Sequence, residues 1–316
     1  MVLDINMIVW SVGLSILTGI LAGIYPAFYI SHYQPSHVLK GEIERGSRAS
    51  IFRKGMVIFQ FALSIMLIIS TMVVFQQLKY IYQLNLGLDR ENLIYVPLRE
   101  DMFKHYEAIR NTLFTIEGIK NITVTSMNPL NVGNSTSSVE WPGKDPEEIV
   151  LFNNFFIDYD FVETFGITME AGRDFDRQFT SDSSNFIINE KAAEAMGYTA
   201  DSIINQEITF WGDRTGRIVG VMKDFNIQSI HVDIEPLILL MDRESYWMMH
   251  IRLNMLHFDE ILAELKKIQR TYATNYSFEY EFLNETYADM YKGEEKISQL
   301  MNYFALVAII ISCLGL

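Results

Sequence analysis

Hydrophobic and polar positions divide the chain into long apolar runs near its two ends and a mixed block between them. Residues 56–75 form a run of 20 without a charge, and a helix of that length spans about 30 Å, the thickness of a bilayer's hydrocarbon core. Arg53 and Lys54 stand directly before the run, where cations commonly flank a membrane span. A buried core helix is the alternative, but core helices seldom run this long without a charge. We therefore predict a transmembrane helix over 55–76.

Two further apolar runs predict two more spans, over 1–30 and 297–316. The first offers Asp4 and no basic residue near its start, so it does not have the basic beginning of a signal peptide. Gly19 and Gly23 within it form a G-x-x-x-G spacing, which predicts a face on which another helix packs closely. The last run ends the chain without a charged anchor, so we expect the chain to be a fragment of a longer membrane protein.

The charges orient these spans. Residues 31–54 contain all five N-terminal cations and only two acids, and such cationic connections face the cytoplasm. Residues 77–296 therefore lie outside, and they carry a net charge of −16, because residues 1–76 contribute +2 and residues 297–316 nothing to the chain's total of −14. An acidic domain of this kind argues against nucleic acid as a partner, since phosphate binding needs a basic surface.

Helical spacing continues beyond the membrane on both sides of the acidic block. Apolar residues recur at this spacing after the second span and again before the third, so we predict two helical legs, over 75–86 and 285–300, that carry the outer domain. The predicted leg positions are Leu78, Ile81, Tyr82, Tyr287, Met290 and Tyr291. Short amphipathic turns lying at the membrane surface remain the alternative.

Between the legs, short apolar runs alternate with amphipathic helices, which predicts an α+β extracytoplasmic domain. The pattern favours a β-α-β frame built from both flanks, with a mixed subdomain inserted at about 128–215. The main predicted strands are 93–98, 122–127, 149–157, 186–188, 208–211, 217–222, 236–241, 248–253 and 278–283, and the main helices are 101–117, 190–196 and 258–272.

Catalytic and nucleotide-binding motifs are missing from the sequence. It contains no G-x-x-x-x-G-K-[ST], no H-E-x-x-H, no G-x-S-x-G and a single cysteine, Cys313. The GRIVG stretch at 216–220 lies in a β-rich run without a following helix, so we read it as structural. We therefore expect no catalytic, cofactor-binding or metal-binding residue in this chain, and an extracytoplasmic enzyme has no convergent set of titratable groups to support it.

We expect neither the acidic pairs nor the histidines to form a metal site. Asp158 with Asp160, and Asp174 with Asp176, do not match the calcium loop of an EF-hand, so we expect solvated turn residues rather than a metal site. The six histidines show no spacing that places two on one helix face, and we expect them at the surface or in loops.

Several segments, taken in chain order, resemble an FtsX/MacB-type ABC transporter permease of the tandem kind common in Bacteroidetes. GIYPA and QPSHVLKG resemble the closing helix of one permease half, and FRKGMVIFQFALS resembles the start of the next. DSSNFIINE and GRIVGVMKDF are similar to the MacB-like periplasmic core domain, and FEYEFL is similar to its exit. The segments occupy residues 23–27, 34–41, 52–64, 182–190, 216–225 and 278–283.

The resemblance implies a bacterial inner-membrane protein with eight spans, in which each half has one span, a periplasmic domain and three further spans. This chain would hold the last span of the first half, then the first span, the periplasmic domain at 77–296 and the second span of the other half. Its partners would be the remaining permease helices, the lipid bilayer and a separate ABC ATPase subunit that binds ATP and Mg²⁺. The family also includes members that work with periplasmic or outer-membrane components.

The function that the resemblance implies is mechanotransmission: the ATPase drives closure of the helices, and the legs pass the movement to the periplasmic domain. The chain itself would not be an enzyme. Contact with the ATPase is expected in the cytoplasmic connection, at Gln34, Pro35, His37, Leu39 and Lys40. A membrane-anchored extracytoplasmic sensor or ligand-binding module is the alternative function.

Overall fold

The computed structural model describes residues 5–31 and 47–314, so the expected ATPase contacts at Gln34, Pro35, His37, Leu39 and Lys40 lie outside the described residues. In chain order the elements are α1 (Ile5–Ser31), α2 (Ser47–Gln83), β1 (Leu93–Pro97), α3 (Tyr106–Leu113), β2 (Ile119–Thr125), β3 (Ser135–Thr136), β4 (Val139–Glu140), β5 (Phe152–Phe156), α4 (Phe161–Phe165), β6 (Met169–Gly172), β7 (Phe186–Asn189), α5 (Glu190–Ala195), β8 (Glu207–Phe210), β9 (Arg214–Met222), β10 (Leu237–Leu240), β11 (Met248–Leu253), α6 (Phe258–Tyr272), β12 (Glu281–Phe282), α7 (Leu283–Met290) and α8 (Lys292–Leu314).

The long helix α2 contains the predicted second span. Within the described part of the chain, one helical stretch, Lys54–Gln83, is long and apolar enough to cross a membrane. The helix itself begins earlier, at Ser47, inside the segment expected to be a cytoplasmic connection. The other two spans and the multi-pass arrangement remain predictions.

The described residues form two compact units. One contains the described residues up to Ile68 together with those from Phe304 onward, and the other is Ile69–Tyr303. Within the first unit, the Ser64 hydroxyl of α2 lies 3.4 Å from the carbonyl oxygen of Ala308 in α8 and donates a hydrogen bond to it. Both units therefore contain parts of α2 and α8.

A four-stranded antiparallel sheet in the order β12-β1-β11-β2 forms the frame of the second unit. With α3 between β1 and β2 and α6 between β11 and β12, this is the split β-α-β arrangement. The remaining chain, from residue 126 to residue 247, is inserted between β2 and β11. The α+β fold and the β-α-β frame predicted from the sequence are confirmed.

Strand β1 is buried along nearly its whole length because both faces of the frame sheet are covered. Ile94 belongs to the core cluster that contains Leu265 of α6, whereas Leu93 and Tyr95 belong to the cluster that contains Phe165 of the insertion. Successive side chains of a strand point to opposite faces, so a strand packed on both sides has a continuous apolar pattern instead of an alternating one.

The insertion contains its own mixed sheet, in the order β3-β5-β10-β7-β9-β8-β4, with β6 paired to β9. Because β9 and β10 belong to this sheet, the inserted part extends past the expected end near 215. Gly216 in β9 passes close to Ser184, the last residue of a 3-10 turn over Thr180–Ser184. A Cβ at position 216 would lie 1.8 Å from the Ser184 carbonyl oxygen. The glycine therefore serves close backbone packing, in agreement with the structural reading of the GRIVG stretch.

Most predicted elements overlap the observed ones, with ends shifted by at most three residues, and two are much shorter than predicted for local reasons. The helix expected over 101–117 is the shorter α3, because a separate 3-10 turn, Glu100–Met102, precedes it. The strand expected over 278–283 contains only Glu281–Phe282, because α7 begins directly at Leu283. As β12 is the edge strand of the frame, few ladder hydrogen bonds extend it.

Candidate functional site

The candidate functional site is the base junction, where the end of α2, the linker 84–92, the insertion loop 223–235 and the helix pair α7 and α8 meet. All of these residues lie within the Ile69–Tyr303 unit. The predicted leg positions Leu78, Ile81, Tyr287 and Tyr291 are buried there. Met290 is half-buried, and Tyr82 is exposed on one side. The junction is thus the place where α2, which contains the candidate membrane span Lys54–Gln83, meets the frame and the insertion.

Tyr287 joins the two legs directly. Its hydroxyl donates a hydrogen bond to the Ile81 carbonyl oxygen at 3.2 Å, and the guanidinium carbon of Arg90 lies 3.9 Å from its ring centroid. Burial raises the pKa of the Tyr287 phenol above its ordinary value, so the side chain remains a neutral hydrogen-bond donor. Its bond to a carbonyl near the end of α2 fixes α7 against the ascending leg.

Tyr291 joins the same leg pair to the insertion. Its hydroxyl oxygen accepts hydrogen bonds from the Ile230 backbone N–H at 2.9 Å and from the Ser229 hydroxyl at 3.3 Å. Its ring packs edge-on against Tyr287, with centroids 5.1 Å apart, and against Tyr82 at 6.5 Å. A movement of α7 relative to α2 therefore acts directly on the insertion loop.

An apolar groove of about 390 Å³ opens between the legs next to these tyrosines. Leu78 and Ile81 of α2, Ile230 of the insertion and Ile297 of α8 contribute to its walls. The walls come from three separate elements, so the width of the groove depends on how far the legs stand apart.

The linker that follows α2 is seated firmly on the insertion. The Asn226 N–H donates to the Leu86 carbonyl oxygen at 2.9 Å, and Leu86 is almost fully buried. Gly87 has a φ of +83°, and a Cβ added there would lie 2.8 Å from the Asp224 carbonyl oxygen. Glycine alone combines this left-handed backbone with such a close approach at little cost.

Arg252 of β11 connects the linker, the frame and the insertion. Its guanidinium group donates to the Asp89 carboxylate at 2.7 Å, to the Asp89 carbonyl oxygen at 2.7 Å and to the Glu91 carbonyl oxygen at 2.9 Å. Its Nε donates to the Thr164 carbonyl oxygen of α4 at 2.7 Å. The planar guanidinium group can hold several acceptors at once, which a lysine ammonium group cannot do in the same geometry. These polar contacts therefore connect the linker after α2 to both the frame and the insertion.

Two of the acidic residues discussed above are in less solvated places than the sequence pattern indicated. Asp158 is 1% exposed, and burial raises its pKa to about 6. Burial also raises the pKa of Asp174 to about 7, although its carboxylate accepts hydrogen bonds from the N–H groups of Phe175 and Val162. The expectation of solvated turn residues is wrong for Asp158, because this residue is buried where the insertion meets strand β2 of the frame.

His250 is likewise a core residue, contrary to the expected surface or loop position. It is fully buried in β11, and its Nε2 lies 2.8 Å from the Thr125 hydroxyl oxygen. Thr125 donates its own proton to the Met127 carbonyl oxygen, so His250 is assigned as the donor. Burial lowers its pKa to about 3, so the imidazole is neutral. The apolar alternation on either side of it is the only local signal for this burial.

The remaining predicted site residues are not part of the base junction. Gly19 and Gly23 are exposed on α1, and a Cβ at either position meets no atom within 4 Å among the described residues, so their packing role remains a prediction. Over residues 5–31 and 47–314, no group of three or more His, Cys, Asp or Glu side chains is arranged to hold a metal ion.

Comparison with known proteins concerns the same part of the chain. The profile of the MacB-like periplasmic core domain matches residues 57–270, more than half of the chain. No curated protein matches.

Solved structures with a similar fold include a domain of a protein described as a permease from Porphyromonas gingivalis, which is 16% identical, with 60% of this chain and 89% of that chain covered and a TM-score of 0.41. The periplasmic region of MacB from Actinobacillus actinomycetemcomitans is 14% identical, with 66% and 97% covered and a TM-score of 0.41. The extracellular domain of the noncanonic ABC-type transporter YknZ from Gram-positive bacteria is 16% identical, with 60% and 98% covered and a TM-score of 0.40. By the profile match over residues 57–270, the chain belongs to the family of MacB-like periplasmic core domains.

Proposed function

We propose that this chain is part of the membrane permease subunit of an ABC transporter and that it couples ATP hydrolysis on a separate subunit to movement of its outer domain. The family supports this function, as do the candidate membrane span Lys54–Gln83 and the acidic character of residues 77–296. In this proposal the protein is a multi-pass protein of the bacterial inner membrane, with the Ile69–Tyr303 unit largely on the periplasmic side.

The observation that carries the proposal is the direct contact of the two legs with each other and with the insertion. Tyr287 bonds the end of α2, and Tyr291 bonds the insertion loop. A change in the spacing of α2 and α8 therefore moves the frame and the insertion together, because the linker is held by Arg252 as well. Contacts of this kind transmit displacement without any chemical step in the outer domain.

In this proposal, ATP hydrolysis on the ATPase subunit supplies the free energy for the movement. ATP and Mg²⁺ bind the ATPase subunit, which docks on the cytoplasmic connection through Gln34, Pro35, His37, Leu39 and Lys40. The cationic character of residues 31–54 supports a cytoplasmic position for this segment. Remaining permease helices surround the spans within the bilayer.

Affinity purification of the full-length protein from its own membranes tests the proposal, with mass spectrometry of the proteins that accompany it. We expect an ABC-type ATPase subunit, and we expect its yield to fall strongly when Lys40, Arg45 and Arg48 are changed to Glu. Reversal of Lys292 and Lys296, which lie on α8 next to the outer domain, is the matched control and should leave the yield unchanged.

Two results would contradict the proposal. The first is that no ABC-type ATPase accompanies the protein; a sensor kinase in its place would favour the alternative function of a membrane-anchored sensor. The second is that the ATPase remains bound after charge reversal and after deletion within 31–54, which would show that this segment does not dock the ATPase.

A further inference from the structure

The insertion crosses the open edge of the frame sheet directly after β5. Thr125 and Ile157 form an isolated antiparallel bridge, and the Asp158 N–H donates to the Val124 carbonyl oxygen at 3.0 Å. The Thr123 hydroxyl donates to the Tyr159 carbonyl oxygen at 2.9 Å. Because β2 is the edge strand of the frame, these bonds satisfy backbone groups that would otherwise be unpaired.

Ion pairs close the same boundary from the side of α3. Arg110 of α3 donates to the Asp160 carboxylate at 2.7 Å. Arg177 of the insertion lies 3.3 Å from Asp160 and 3.4 Å from Glu107 of α3. We call this boundary the seam, defined by Tyr106, Glu107 and Arg110 on the frame and by Asp158, Asp160 and Arg177 on the insertion.

Asp158 occupies the interior of the seam, with no ion pair of its own among the described residues. The residue is 1% exposed, and the raising effect of burial on its pKa exceeds the lowering effect of the Tyr159 backbone N–H. Its Oδ1 atom and the hydroxyl of Tyr106 are buried and make no hydrogen bond with any described residue. A buried carboxylate left without a full set of partners costs more free energy than the neutral carboxyl group does in the same place.

The ionisable groups that act on Asp158 come from every side of the seam. They include both signs of charge, so no single cation compensates the carboxylate. The groups are Tyr106 and Glu107 from α3, and Tyr159, Arg177, Arg243 and Tyr246 from the insertion. The Arg110–Asp160 ion pair lies in the same seam.

We propose that Asp158 is a proton-controlled contact: its neutral form holds the insertion closed on the frame, and its ionisation loosens the seam. The device lies outside the base junction and does not depend on the proposed transport function. The raised pKa of about 6 supports it, because a solvent-exposed aspartate ionises near 3.9. An open seam releases the proton more readily than a closed one. The equilibrium constant for opening therefore rises as the pH increases through about 6 and levels off at higher pH.

Hydrogen exchange on the full chain in lipid nanodiscs measures the effect at the hydrogen bonds that cross the seam. The relevant amides are the two of the Thr125–Ile157 bridge: that of Asp158, bonded to Val124, and that of Ser126, the residue directly after β2, bonded to the Phe156 carbonyl oxygen at 2.9 Å. Comparison of the parent with Asp158→Asn at the same pH removes the intrinsic pH dependence of exchange. We expect the ratio of parent to variant opening to rise by about tenfold between about pH 5 and about pH 8, from the difference between the closed and open pKa values.

Asp224→Asn is the matched control, because burial also raises the pKa of this half-buried carboxyl and it bonds a backbone N–H, that of Lys191, away from the seam. It should keep the parent's pH response at the two seam amides. Asp158→Ser supplies a second neutral variant in case the asparagine fails to fold, as judged by near-ultraviolet circular dichroism. The proposal is overturned if the parent-to-variant ratio is constant with pH or if Asp224→Asn abolishes the response.

Discussion

The Tyr287 hydroxyl donates a hydrogen bond to the Ile81 carbonyl oxygen, 3.2 Å away across more than 200 residues of sequence. Ile81 belongs to α2 and Tyr287 to α7, so this one bond closes the long loop that contains the frame and the insertion. Its donor is buried and neutral, and its acceptor lies near the end of α2, where helix carbonyls lack partners within the helix.

Replacing Tyr287 by Phe should lower the stability of the base junction by about 1 kcal/mol, the usual net worth of a buried hydrogen bond. The ring packing is kept, so the loss reports the hydroxyl alone. Thermal unfolding in detergent, followed by near-ultraviolet circular dichroism, measures it. Tyr276→Phe, at an exposed position, is the control. Equal melting temperatures for the two variants would show that the bond to Ile81 contributes nothing.

Arg252→Lys should loosen the linker, because a lysine cannot satisfy the Asp89, Glu91 and Thr164 acceptors together. We expect a loss of about 2 kcal/mol in the free energy of unfolding and faster proteolysis within 84–92. Arg217→Lys, at an exposed position in β9, is the matched control. Unchanged proteolysis in the Arg252 variant would contradict the role of this side chain in holding the linker.

Gly87→Ala and Gly143→Ala separate backbone strain from steric conflict. Both glycines have positive φ, +83° and +87°, but only a Cβ at position 87 meets other atoms within 4 Å. Left-handed backbone costs an alanine about 1–2 kcal/mol at either position. The Gly87 variant should therefore be the less stable of the two in chemical denaturation. The same loss at both positions would mean that the linker moves away from Asp224 and Phe225 without cost.

His250 should make the outer domain sensitive to acid. Its pKa is about 3 in the folded chain and about 6.5 when exposed, so between these values the unfolded state binds more protons and stability falls as the pH falls. His250→Gln keeps a donor for Thr125 and removes the charge change. We expect the parent to lose on the order of 3 kcal/mol more than this variant between about pH 7 and about pH 4.

Asp158 opposes this trend, because its pKa is raised, and the folded state therefore gains protons as the pH falls toward 4. For this reason the measured quantity is the difference between the parent and His250→Gln at each pH, in which Asp158 cancels. His231→Gln, at an exposed position, serves as the control and should follow the parent. A parallel pH profile for parent and His250→Gln would contradict the buried neutral imidazole.

The sequence by itself determined the local elements that have a strong period. The apolar stripe over 258–272 is α6 and the run over 248–253 is β11, with the predicted bounds. The same reasoning predicted Tyr287 and Tyr291 on one helical leg, and both are buried, Tyr287 within α7 and Tyr291 directly after its end. These features follow from the 3.6-residue and two-residue periods of side-chain direction, which each segment contains in itself.

Only the tertiary structure decided how strands are divided between the two sheets and which polar residues are buried. β9 and β10 belong to the insertion, and His250 and Asp158 lie within the core and the seam. Each outcome depends on a partner far along the chain, such as Thr125 for His250 and Val124 for Asp158. No local period encodes such a pairing, because the burial of a side chain is set by whichever distant element packs over it.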